Sequence, residues 1–66
     1  MPEQVDPPRF IRLPQVLEMT GMSRSYIYAR IAQDAFPNQI QLGSRSVVWY
    51  ERYVIDWMNQ QIATAT

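Results

Sequence analysis

The chain has 66 residues, 47% hydrophobic and 18% charged, which is room for one small globular domain with a thin core. It contains neither Cys nor His, so disulfides, thiolate or imidazole metal sites and the usual general base are excluded, and an enzyme with a bound cofactor is not expected. The net charge is zero, but all six cations are arginines, and between Arg9 and Arg52 they face only Glu18, Asp34 and Glu51, a local surplus of three.

Residues 1–8 hold Pro2, Pro7 and Pro8 with little apolar material and read as a flexible tail. A domain over 9–62 follows, and 63–66 is expected to fray. The first helix is predicted over 14–19. Pro14 suits a first helical turn, Leu13, Val16 and Leu17 form an apolar face, and Thr20-Gly21 ends the helix. Gly21 supplies a left-handed turn, Met22 is expected to point inward, and Ser23 is a good N-cap for the amide of Ser25 or Tyr26.

The second helix is predicted over 24–33. Ile27 and Ile31 face the core, and Arg24, Ser25, Tyr28 and Arg30 lie on other faces. A short helix, a glycine turn and a second helix with arginine in its first turn is the layout of a helix-turn-helix. Phe36-Pro37 stops that helix. Gln39 to Leu42 alternates as a half-buried strand, Gly43-Ser44-Arg45 turns, and Ser46 to Tyr50 is β-branched and aromatic. In this hairpin Ile40, Leu42, Val47 and Trp49 are expected inward, Val48 and Tyr50 outward. Its tip, 43–46, reads as a wing carrying Arg45. The last helix is predicted over 51–62, with Val54, Trp57, Met58 and Ile62 closing the core. Trp49 and Trp57 are expected to fill the core. The fold class is thus mainly α with a small β-hairpin, a winged helix-turn-helix in the order α-α-β-β-α.

The stretch from Arg12 to Met58 also carries a family resemblance. Arg12-Leu13, Val16-Leu17, Thr20-Gly21, Ser23-Arg24-Ser25, Ile27-Tyr28, Phe36-Pro37, Leu42-Gly43, Arg45-Ser46-Val47, Trp49 and Trp57 stand in register without a gap. On these residues the chain resembles the AlpA family of phage regulatory proteins, in the MerR-like winged-helix group that includes excisionases. It departs from the family pattern at Tyr26, often Thr, at Ala29 and Val48, often basic, and at Asp34-Ala35, often Gly-Arg.

The resemblance implies a sequence-specific DNA-binding transcription regulator of mobile-element type, with double-stranded DNA as partner. Helix 23–33 would enter the major groove and the wing 43–46 the adjacent minor groove or backbone. Arg24 is placed for a base edge or phosphate, Ser25 for a hydrogen bond, and Tyr28 for a phosphate or a thymine methyl. Arg30 is placed for the backbone or for an ion pair with Asp34. Arg45 reaches from the wing, and Ser23, Ser44 and Arg12 add backbone contacts. One such module buries only about 600–1,000 Å² of protein surface, so self-association or cooperative neighbours on DNA are expected.

Two alternatives stand beside this reading. One is an excisionase-like DNA-architectural factor. The other is a winged-helix protein-interaction module without DNA binding, which the neutral charge favours. No apolar run reaches the roughly 18 residues of a membrane span, and MPEQVDPPRF lacks a signal-peptide pattern. A cytoplasmic, nucleoid-associated location is the expectation, with neither membrane nor small-molecule substrate as partner.

Overall fold

The computed structural model describes residues 7–65. The first six residues of the expected tail, and Thr66, lie outside that range. Three helices pack against a three-stranded sheet: β1 (Phe10–Ile11), α1 (Leu13–Thr20), α2 (Arg24–Ala32), β2 (Ile40–Gln41), β3 (Val47–Tyr50) and α3 (Glu51–Ala65). This is a winged helix-turn-helix, with the helices and the hairpin in the expected order.

Helix α1 begins where Gln15 Oε1 accepts the Arg12 amide at 2.9 Å, with Pro14 in the first turn. It ends at Gly21, whose φ of 73° is left-handed and whose N–H reaches Leu17 O at 2.8 Å. The Thr20 hydroxyl donates to Val16 O at 2.8 Å and accepts the Met22 amide at 3.2 Å, which fixes the turn. Ser23 then caps α2, its Oγ accepting the Tyr26 amide at 3.1 Å. Met22 does not point inward as expected. It is 37% exposed and lies beside Tyr26, Met58 and Ile62 at the rim of a shallow pocket.

The core is Ile11, Val16, Ile27, Phe36, Trp49 and Val54, with Leu13, Leu17, Met19, Tyr28, Ile31, Val47, Trp57 and Met58 packed around it. Both tryptophans fill space, as their types suggest. Each also finds a polar partner: Trp49 Nε1–H donates to Pro37 O at 3.1 Å and Trp57 Nε1–H to Ala35 O at 2.8 Å. The loop after α2 is thereby tied to β3 and to α3. Phe36, on that loop, meets the Trp57 ring edge-on at 4.8 Å and is a core residue that periodicity alone did not mark.

The sheet differs from the expected two-stranded hairpin. Its order is β1-β3-β2, with Phe10 opposite Tyr50, Ile11 opposite Trp49, Ile40 opposite Val48 and Gln41 opposite Val47. Glu51 N–H donates to Arg9 O at 2.8 Å and continues the β1 pairing. Residues directly opposite share a face, so Ile40 lies with Val48 and Tyr50 on the face away from Trp49. The inward placement of Ile40 and Leu42 was off by one residue, and a one-residue slip turns a whole strand over. Leu42 falls after β2 and is 49% exposed at the base of the turn, its amide donating to Ser46 O at 2.7 Å. Val48, expected outward, is only 4% exposed. It sits on the central strand, flanked by neighbours on both sides, so the outer face is apolar too.

Helix α3 runs to Ala65, three residues beyond the expected end and through most of the stretch expected to fray. Val54 is fully buried and Trp57 and Met58 pack on the core. Ile62 was expected to close the core but is 66% exposed, at the rim of a shallow pocket shared with Thr20, Met22 and Tyr26 rather than within the core.

Candidate nucleic-acid interface

Helix α2 presents its outward side as a narrow strip of small residues between two flanks. At a 100° step, Ser25, Ala29 and Ala32 point away from Ile27 and Ile31, and all three are exposed. On one flank stand Arg24 and Tyr28, with the Arg24 guanidinium carbon 6.0 Å from the Tyr28 ring centre. On the other stand Tyr26 and Arg30, with the Arg30 guanidinium carbon 5.5 Å from the Tyr26 ring centre. The first turn of α2 contains no acidic residue. Ser23 satisfies the Tyr26 amide, so the amides of Arg24 and Ser25 are the first-turn donors left at the positive end of the helix.

Tyr28 is not the outward residue that its type suggested. It is half-buried, packs on the core and meets Trp49 edge-on at 6.4 Å. Its ring therefore links Arg24 to β3, the strand that descends from the wing. Arg30 does not pair with Asp34. Its Nη1 donates to Gln33 Oε1 at 3.4 Å, while its Nε is buried without a hydrogen-bond partner. The reason lies at the helix end. Asp34 turns to φ 60°, with its amide on Ile31 O at 3.0 Å and the Ala35 amide on Arg30 O at 2.8 Å, so it leaves the i+4 position of a continuing helix.

The wing is the turn between β2 and β3. Gly43 has φ 132°, a conformation open to glycine, and Gln41 Nε2 donates to its carbonyl at 2.7 Å. Ser44 and Arg45 are exposed at the tip, and Arg12 is exposed at the start of α1. Tyr26, 37% exposed beside Arg30, is the residue that sequence reasoning left out of the site. Its departure from the family's usual Thr was the available signal. Among the described residues no three His, Cys, Asp or Glu side chains are placed to hold a metal, and no helix is long and apolar enough to cross a membrane.

Residues 9–62 match the family model described as "Prophage CP4-57 regulatory protein (AlpA)". The chain is 44% identical over 55 residues to "Uncharacterized protein ORF88" of Enterobacteria phage P4, an alignment covering 83% of this chain and 62% of that protein. It is 39% identical over 59 residues to "DNA-binding transcriptional activator AlpA" of Escherichia coli K12, covering 80% of this chain and 84% of the relative. No solved structure matches. With the family model spanning nearly the whole winged helix-turn-helix, the chain belongs to the AlpA family of prophage regulatory proteins.

Proposed function

We propose that this protein is a DNA-binding transcription regulator of phage or prophage type, with α2 in the major groove and the 43–46 wing on the adjacent minor groove or backbone. The observation that carries the reading is the strip Ser25-Ala29-Ala32 flanked by Arg24 and Arg30. Small side chains let the helix backbone approach the groove floor, and the two flanking cations suit the two phosphate walls. Relatedness to the transcriptional activator AlpA supports the same reading.

Each residue then has a role. Arg24, exposed beside the Tyr28 ring, reaches a base edge or a phosphate. Ser25 and the first-turn amides bond a phosphate at the helix end. Arg30, its guanidinium beside the Tyr26 ring, meets the backbone through its outer nitrogens. Tyr28 supports Arg24 from below. Arg45 contacts the duplex from the wing, aided by Ser44, while Arg12 and Ser23 add backbone contacts. The ring contacts from Arg24 through Tyr28 to Trp49 tie the first flank to the strand that leads to Arg45, which favours engagement of both by one duplex.

Fluorescence anisotropy with a labelled random-sequence duplex at low salt tests the proposal. Saturable binding is expected, with Arg24→Ala and Arg45→Ala each weakening it by about 1–3 kcal/mol. No binding at any salt, with both variants silent on transcription in the cell, would contradict it.

A further inference from the structure

We infer that the groove between the 34–37 loop and α3 docks an arginine- or lysine-bearing segment of a protein partner. It is an open groove of about 730 Å³, lined among others by Asp34, Phe36, Pro37, Tyr53, Asp56 and Trp57. Two carboxylates and three aromatic side chains line it, and no cation does. A cation seated by these carboxylates gains ion pairing, and the exposed ring of Tyr53 adds cation–π attraction, while Phe36 is buried as part of the wall. The negative charge of this surface also makes it a poor seat for phosphate. Asn59 and Gln60 complete the rim with amides suited to an extended peptide backbone.

The groove is built in advance of any occupant. The wall formed by residues 35–37 is tied down by both indoles, Trp57 to Ala35 O and Trp49 to Pro37 O, and by the Phe36–Trp57 ring contact. Asp34 is held at φ 60° by the hydrogen bonds that close α2, and its carboxylate makes no ion pair among the described residues. Asp56 meets Arg52 at 3.5 Å in an exposed i,i+4 contact, a weak interaction that an incoming cation can outcompete. A rigid site loses little entropy on binding. The groove opens beyond the C-terminal end of α2, one helix length from Arg24, so a partner there leaves the start of the helix clear.

The test needs no DNA, so its outcome is separate from that of the proposed DNA interface. The ¹⁵N-labelled full chain is titrated with blocked tetra-arginine, with blocked tetra-glutamate as control, and both indole N–H signals are followed. Saturable shifts confined to 34–37, 53–60 and the Trp57 indole are expected, with Trp49 unmoved and tetra-glutamate silent. The double variant Asp34→Asn/Asp56→Asn should weaken tetra-arginine binding about tenfold or more. Asn tolerates the left-handed conformation at position 34, and an unchanged Trp49 signal in that variant reports an intact fold. Absent shifts, shifts spread over Glu18 and Glu51, or undiminished binding by the double variant would overturn the inference.

Discussion

Gly21 and Asp34 both close a helix with a left-handed residue, at φ 73° and 60°, yet they differ in what another side chain would cost. A Cβ at Gly21 would meet nothing within 4 Å, so the conformation alone demands glycine. Gly21→Ala is therefore expected to destabilise the fold by about 1–2 kcal/mol, read as a lower urea midpoint with an unchanged slope. At Asp34 the short polar side chain makes the same conformation tolerable. The residue scale was readable where chemistry is local. Ser23 as N-cap, Gly21 as turn and Ile27 as core residue follow from their types and neighbours. Tyr28 is half-buried because it packs against Trp49, and of the two roles open to Arg30 the ion pair with Asp34 is not formed, its guanidinium lying beside the Tyr26 ring. If Tyr26 holds Arg30 for a phosphate, Tyr26→Phe should keep duplex affinity, because a phenyl face still attracts a cation. Tyr26→Ala should lose affinity to about the extent of Arg30→Gln, and the two losses should not add in the double variant. Additive losses would separate the two residues.

The elements were legible in proportion to their length. The apolar spacing of α1, α2 and α3 marks each of them within a few residues. Strand β1 has only two residues, too few for any periodicity to show, and it exists because Phe10 and Ile11 find Tyr50 and Trp49. With β1 on its other side Val48 is buried on the outer face, and the inward facing expected of Ile40 and Leu42 gives way to the Ile40–Val48 register. The loop after α2 is similarly decided at long range, by indole donors 12 and 22 residues away in sequence. Trp57→Phe removes one donor and leaves the Ala35 carbonyl short of a partner. It should cost about 1–2 kcal/mol in thermal or urea unfolding, and the 34–37 amides should exchange faster.

Across the whole molecule a net charge of zero conceals an uneven arrangement. Arg45 stands exposed on the wing and Arg24 at the start of α2, Arg9 and Arg52 meet Glu51 and Asp56, and Asp34 and Asp56 line the groove beside α3. Composition could not reveal this, because the arrangement appears only when the chain folds. It also limits the proposed affinity: with about three to five phosphates neutralised, the log–log salt slope of duplex binding should lie near −3 to −5. The central claim is that the start of α2 and the wing grip one duplex together, and an NMR titration of the ¹⁵N-labelled chain with a short duplex tests it most directly. The account predicts that amides of 23–30 and of 43–46 shift at the same duplex ratio while 53–60 stay still. Shifts in only one of the two segments, or shifts confined to α3, would contradict it.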